Sequence, residues 1–319
     1  MIQSDVQIAR SNDEVRCLEP SGSPAQVGSW ELVGLVRTGS LAEIYQARPA
    51  GSPASATPAY AVKLLRPEWQ QRPEAVALLR REAMVGRQVS HPHLVPVLGS
   101  NTSQPPCFLV MPWLTGATLA DRLAAGGAFD LPYVLWIARQ AAEALDALWT
   151  AEWMHGDIKP ANLHLSPEGH VTLLDLGFAR HRDDTGSAID RCLLGTFGYL
   201  APEMVTSTLR PDIRSDIYSL GAVLFEVLAG RLPFEASSFA ELASQHRQCR
   251  APDLRRLAPC LSTGVVRLVR EMLAKEPLRR PQTPRELVDR LASLEIATFA
   301  ERRDALDLTL SCGQPHATA

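Results

Sequence analysis

His155-Gly156-Asp157-Ile158-Lys159-Pro160-Ala161-Asn162, followed after a short apolar stretch by Asp175-Leu176-Gly177, is the part of the chain from which the rest can be read. Pro160 does not fit the interior of a helix, so the first run is a loop. Val171 to Leu174 is short and apolar and reads as a strand that delivers Asp175. One loop therefore carries a carboxylate, an ammonium and an amide, and it faces a second carboxylate. That set suits transfer of a phosphoryl group. Such chemistry needs an acceptor for a hydroxyl proton, a cation beside the moving phosphate and oxygen ligands for magnesium.

The bulk properties narrow the field. A chain of 319 residues holds one large or two modest domains, and 46% hydrophobic with 21% charged residues makes most of it globular. A formal net charge of −3 gives no support for a nucleic-acid or anionic-membrane partner. Cys17, Cys107, Cys192, Cys249, Cys260 and Cys312 are scattered without a C-x-x-C pair, which argues against a zinc site or disulfide framework and fits a reducing cytoplasm. The first residues lack the basic and apolar regions of a signal peptide, and no stretch approaches 18 apolar residues, so no membrane span is expected.

The loop and the Asp175 turn resemble the catalytic and magnesium loops of eukaryotic-like (Hanks-type) protein kinases, H-R-D-x-K-x-x-N and then D-F-G, with Gly156 in place of Arg and Leu176 in place of Phe. Further segments follow in the order that family has. Trp30 to Val36 and Glu43 to Ala47 read as strands, and the turn between them lies where kinases carry a Gly-rich loop. Only the middle glycine, Gly39, is present there; Arg37 and Ala42 take the other two places. Pro49 to Ala59 reads as a long hairpin loop. Tyr60 to Leu65 is a strand with a lone Lys63, which either points at solvent or holds the α- and β-phosphates as in the family's V-A-I-K strand. Helical spacing over 72–89 places Glu82 on a helix, nine residues before His91-Pro92-His93-Leu94-Val95. Glu82 is either a solvated charge or the partner of Lys63. Cys107 to Met111 is a buried strand leading through Pro112-Trp113-Leu114 to Gly116.

Pro132 to Trp153 reads as a long scaffold helix, because Arg139, Glu143 and Asp146 exclude a membrane helix. Leu163-His164-Leu165 is a short strand. Phe178 to Leu194 is polar and fits an activation segment, closed by Gly195-Thr196-Phe197-Gly198-Tyr199-Leu200-Ala201-Pro202-Glu203, which resembles G-T-x-x-Y-x-A-P-E. Ser215-Asp216 opens an apolar helix to Leu228, and Pro284 to Ile296 is a last helix.

The resemblance covers about residues 30 to 294 and points to the bacterial serine/threonine kinases. It implies an α+β, bilobal protein-kinase-like fold: a mobile tail over 1–28, a small β-rich N-lobe with one main helix and the hinge over 29–114, a larger mainly helical C-lobe over 115–296, and a tail over 297–319. It implies ATP and Mg2+ as cofactors and protein substrates with Ser or Thr acceptors, in cytoplasmic signalling. Oligomeric state is left open. It places Lys63, held by Glu82, on the α- and β-phosphates, Asp157 at the acceptor hydroxyl, Lys159 on the transferred phosphoryl, and Asn162 and Asp175 on magnesium. It surrounds the nucleotide with Val36, Gly39, Ile44, Ala61 and Met111, offers the Pro112 carbonyl and the Leu114 N–H to adenine, and puts His164 beneath the base, where the family has an apolar residue. The imidazole either stacks on adenine or alters the pocket. Asp216 would hold the catalytic loop, and Arg280 would pair with Glu203. The degraded glycine loop and Gly86, where kinases place a bulky residue in the packed column joining helix and core, favour an alternative: a pseudokinase that binds nucleotide or acts as a scaffold. The complete polar set favours an active enzyme, one whose activity does not depend on phosphorylation of the activation segment, since Gly156 removes the Arg of the usual phosphate pocket. Arg37 and Ala42 are expected to weaken ATP binding by keeping the loop off the phosphates, with Arg37 able to compensate by reaching one.

Overall fold

The computed structural model describes residues 26–127, 129–184, 197–205 and 210–312. Thr185, Ser187, Asp190, Gly195 and Thr196 of the expected activation segment lie outside the described residues, as does the stretch before Gln26.

The upper lobe is an antiparallel sheet in the order β1-β2-β3-β4-β6-β5. Its strands are β1 (Gln26–Val27), β2 (Trp30–Thr38), β3 (Ala42–Pro49), β4 (Tyr60–Leu65), β5 (Gly99–Asn101) and β6 (Phe108–Pro112). The Gly39 N–H donates to the Ala42 carbonyl at 2.9 Å and closes the tight β2–β3 turn. Helix α1 (Pro73–Gln88) starts on a proline whose missing N–H costs nothing at a helix N-terminus. Its Ala75, Leu79, Glu82, Ala83 and Gly86 are buried, the stripe that a helix laid on a sheet requires. The sheet's opposite face has its own cluster of Val27, Leu32, Ala47, Val62, Phe108 and Val110. β1 corrects the expected tail over 1–28: Gln26 and Val27 pair with Glu31 and Trp30 and belong to the sheet.

The lower lobe opens with β7 (Ala117–Thr118) and α2 (Leu119–Ala124), followed by α3 (Leu131–Thr150) and β8 (Trp153–Met154). Helix α3 stops short of the expected Trp153 because Glu152 takes φ +64 and turns the chain into β8, where Trp153 pairs with His181. Next come β9 (Leu163–Leu165), β10 (Val171–Leu173), β11 (Arg180–His181), α4 (Pro202–Val205) and α5 (Ile213–Ala229). The chain ends in α6 (Phe239–Gln248), α7 (Leu254–Leu257), α8 (Thr263–Met272) and α9 (Pro284–Cys312). The last helix runs past the expected end at Ile296, so 297–312 is helical and not a separate tail. One large core built on α3, α5 and α8 unites this lobe, with Tyr218 and Phe225 of α5 wholly enclosed. The lobes join where Leu173 meets the segment after α1: the Leu173 N–H donates to the His93 carbonyl at 2.9 Å and the Val95 N–H to the Leu173 carbonyl at 3.0 Å. Among the described residues no helix is long and apolar enough to cross a membrane.

Candidate active site

The loop 155–162 is held from below by a helix far along the chain. Asp216, buried in the first turn of α5, accepts the N–H of His155 and that of Gly156, both at 2.7 Å. Gly156 sits at φ +82, a left-handed conformation in which glycine meets no Cβ clash. The His155 ring is fully enclosed. Its Nδ1 accepts the Asp157 N–H at 3.1 Å, which leaves the proton on Nε2, donated to the Leu174 carbonyl at 3.0 Å. One imidazole thereby links the loop to the chain that leads into Asp175.

Asp157 and its neighbours close into one polar group. The Asn162 Nδ2 donates to the Asp157 carbonyl at 2.8 Å and to its Oδ2 at 2.9 Å. Lys159 Nζ lies 2.8 Å from the same Oδ2. Asp175 stands in a left-handed conformation, φ 63 and ψ 79, with its carboxylate accepting the Gly177 N–H. From above, Lys63 Nζ reaches Glu82 Oε2 at 2.7 Å and Asp175 Oδ1 at 3.0 Å, so Lys63 does not point at solvent and Glu82 is no solvated charge. Glu82 is 2% exposed, a burial that an unpaired carboxylate would not tolerate.

Burial and charge set these groups against each other. Burial disfavours the charged form of Lys63, but Asp175 and then Glu82 outweigh it and hold its pKa well above the ordinary lysine value. Burial would raise Asp175; Lys63 and Lys159 reverse that and bring it down to about 2. Glu82 goes the other way, pushed by burial up to about 7 against the pull of Lys63. Lys63 and Asp175 are thus each held towards the charged form, an ion pair that spans the two lobes.

The remaining expected residues lie on neighbouring elements of the two lobes. Ile44 pairs with Lys63 across β3 and β4, and Ala61 pairs with Met111 across β4 and β6. Val36 and Gly39 are half-buried on the β2–β3 hairpin. At the end of β6 the Trp113 N–H donates to the Ala59 carbonyl at 2.9 Å, with Pro112 and Leu114 on either side of it in the chain. His164 lies on β9, paired with Thr118 on one side and Thr172 on the other. Burial, then Arg122, lower its pKa and keep the imidazole neutral.

Two departures from the kinase pattern are resolved by packing. Ala42, in the third glycine's place, is a strand residue whose methyl lies in the upper-lobe core, so it does not hold the loop away from the cleft. A Cβ on Gly86 would stand 2.6 Å from Cγ2 of Val97. Val97, in the segment before β5, thus supplies the bulk that Gly86 lacks. Arg37 is bound elsewhere, as its Nη2 donates to both oxygens of Asp121 at 2.7 and 2.9 Å. Nothing in the sequence pointed to that contact. In the lower lobe Arg280 and Glu203 meet as expected, through two hydrogen bonds of 2.6 and 2.9 Å.

Magnesium is bound by proteins through one or two oxygen ligands completed by phosphates and water, so it needs no cage of side chains. Among the described residues no three His, Cys, Asp or Glu gather as a metal cage. The Asp175 carboxylate and the Asn162 amide oxygen fit the lesser demand, since Asn162 has committed its nitrogen to Asp157.

Known proteins agree with this geometry. A model of the protein kinase domain matches residues 30–290. A probable serine/threonine-protein kinase of Clostridium perfringens is 29% identical over 266 residues, 83% of this chain and 38% of that protein. The serine/threonine-protein kinase PrkC of Bacillus subtilis is 28% identical over 283 residues, 89% of this chain and 42% of that protein. The serine/threonine-protein kinase PknB of Mycobacterium tuberculosis is 32% identical over 265 residues, 81% of this chain and 41% of that protein. The chain spans about two-fifths of the length of these relatives. With two lobes closing on the Lys63–Asp175 pair, a loop fixed by Asp216 and a family match across 30–290, the chain belongs to the protein kinase family.

Proposed function

We propose that the chain is a serine/threonine protein kinase that transfers the γ-phosphoryl group of ATP to protein hydroxyls with Mg2+. The observation that carries this reading is the junction of Lys63 with both Glu82 and Asp175, beside the closed set of Asp157, Lys159 and Asn162. Lys63 holds the α- and β-phosphates and Glu82 fixes Lys63. Magnesium, when bound, neutralises phosphate charge, and Asp175 and Asn162 are the residues that would hold it. Asp157 orients the acceptor hydroxyl. As that oxygen bonds to the γ-phosphorus, its proton passes to the Asp157 carboxylate, and the bond between the γ-phosphorus and the β–γ bridging oxygen breaks with its electrons leaving on ADP. Lys159 offsets charge on the group in flight. The chain supplies position and electrostatics, which is what this reaction asks of a protein. Adenine lies between Ala61, Met111 and His164, with the Pro112 carbonyl and the Leu114 N–H as its partners.

Two features had favoured a pseudokinase, and neither retains its force once Ala42 lies in the core and Val97 fills the space beside Gly86. Activity independent of activation-segment phosphorylation is part of the proposal and rests on Gly156. Buried Cys107 and the exposed free thiols Cys249 and Cys260 suit a cytoplasmic setting in signalling. The test is transfer of label from γ-labelled ATP to a generic basic protein in the presence of magnesium. Transfer by wild type and its loss in Asp157→Asn support the reading. Absence of transfer with nucleotide still bound would return the pseudokinase.

A further inference from the structure

Arg37 stands in a row that the sheet register makes explicit. It pairs with Ile44 across β2 and β3, and Ile44 pairs with Lys63 across β3 and β4. Directly paired residues of antiparallel strands project from the same face of a sheet, and neighbouring strands lie about 4.8 Å apart, so Arg37 and Lys63 are two cations roughly 10 Å apart on one face. Each reaches down to a carboxylate of the lower lobe, Lys63 to Asp175 and Arg37 to Asp121. Ile44 lies between them. Two ion pairs therefore run from one face of the sheet to the lower lobe, Lys63–Asp175 and, two strands away, Arg37–Asp121.

The two halves of the outer pair differ in freedom. Asp121 is fixed, because its Oδ2 accepts the Thr118 N–H at 3.1 Å and the Thr118 hydroxyl at 2.6 Å while its own N–H donates to Thr118 Oγ1 at 3.2 Å. This reciprocal cap locks the start of α2. Thr118 pairs with His164 of β9, so the cap that holds Asp121 adjoins that strand. Arg37 is a long side chain with no comparable restraint. Its side chain is 29% exposed and that of Asp121 is 40% exposed, so water can replace the contact.

We propose that the Arg37–Asp121 ion pair is a gate across the mouth of the nucleotide cleft, which opens by withdrawal of Arg37 and sets how fast nucleotide enters and leaves. It rests on the nucleotide-site reading above. A gate that is shut both with and without ligand adds to the barrier in both directions equally, so it changes rates and leaves equilibrium affinity alone. A partly exposed ion pair is worth at most a few-fold in rate, and salt weakens it.

The experiment is stopped-flow binding of a fluorescent ADP analogue to wild type, Arg37→Met, Asp121→Asn and the double variant. In Asp121→Asn the amide keeps an oxygen for the Thr118 cap, and thermal unfolding of each variant checks the fold. Association and dissociation should both quicken by about two- to fivefold with Kd unchanged. The double variant should go no further than the faster single one, because one contact is removed either way. Added salt should speed dissociation from wild type by more than from the variants, which keep only the phosphate contacts for salt to weaken. Dissociation unchanged in folded Arg37→Met overturns the gate. So does faster dissociation with a matching rise in Kd, which would make Arg37 a nucleotide contact. Absence of any binding by wild type overturns the nucleotide-site reading and the gate with it.

Discussion

Replacing Arg280 by Met should be among the most damaging single changes in the lower lobe, and the structure gives the reason bond by bond. All five guanidinium N–H groups are used. Nε donates to the Ala274 carbonyl at 2.8 Å, Nη1 to Glu203 Oε1 at 2.6 Å and the Arg214 carbonyl at 2.8 Å, and Nη2 to Glu203 Oε2 at 2.9 Å and the Lys275 carbonyl at 3.2 Å. The side chains of Arg280 and Glu203 are 0% and 2% exposed. Met fills the volume but leaves a buried carboxylate without its cation, a loss of about 3–5 kcal/mol. Lys has three donors and cannot form the fork, so Arg280→Lys leaves at least two acceptors unmet at about 1–3 kcal/mol each. Leu at position 203 together with Met at 280 removes both charges and should be milder than Arg280→Met alone. The pH dependence has a definite sign. Burial acts to raise Glu203, but Arg280 and Ser215 bring it below its ordinary value of 4.5. A carboxylate depressed on folding contributes stability above its unfolded pKa and loses it as pH falls through its folded one. The gap between wild type and Arg280→Met should therefore narrow in acid below 4.5. Urea unfolding followed by tryptophan fluorescence measures all of this. A loss under about 1 kcal/mol for Arg280→Met, or a gap that widens in acid, refutes the reasoning.

Further expectations follow from the cleft. Lys63→Met, Asp157→Asn and Asp175→Ala should each lower phosphoryl transfer by hundreds-fold or more, measured by single-turnover transfer from labelled ATP; wild-type turnover in Asp157→Asn would refute its role. Gly86→Leu should destabilise by about 1–3 kcal/mol against Val97, and adding Val97→Ala should recover most of that in chemical denaturation. His164 is already held neutral by burial, and a base laid over it would hold it lower still. Calorimetry should thus show nucleotide affinity falling as pH drops below the ordinary histidine value of 6.5, with His164→Leu abolishing the fall. Thr185→Ala with Ser187→Ala, and phosphatase-treated wild type, should both keep near wild-type rates; a large loss restored by re-phosphorylation would make the segment a switch.

What could be read in the sequence follows from how far each interaction reaches along the chain. Asp157, Lys159 and Asn162 share one loop, so their grouping is already a matter of spacing. Lys63 and Glu82 lie on separate elements, but each element has its own periodicity and their order is distinctive. Arg37 looked like a glycine's substitute, and its true partner is 84 positions away on a helix with no motif of its own. Gly86 looked like a hole in the packing, because a one-dimensional reading cannot see that Val97 approaches from a neighbouring segment. The end of α3 was misplaced because Glu152 takes a positive φ that few non-glycine residues adopt, and no composition signal announces it. The last helix was cut short because the apolar pattern weakens after Ile296, whereas backbone hydrogen bonding continues to Cys312.

Asp216 accepts two successive backbone N–H groups of the loop at 155 and 156 from inside α5, while the Lys63 sheet meets the lower lobe near the cleft through ion pairs. The two jaws of the cleft are thus built to different tolerances. The lower jaw is a fixed bed, in which the helix that organises the core anchors the loop at 155 and 156 and Asn162 ties itself to Asp157. The upper jaw meets it near the cleft through side-chain charges, Lys63 to Asp175 and Arg37 to Asp121. Variation among crystal forms or ligand states should gather in the Lys63–Asp175 and Arg37–Asp121 separations, with the loop under Asp216 superposing throughout. A ligand that distinguishes states of this chain would then do so by reading the height of the sheet, because the bed beneath it looks the same in every state.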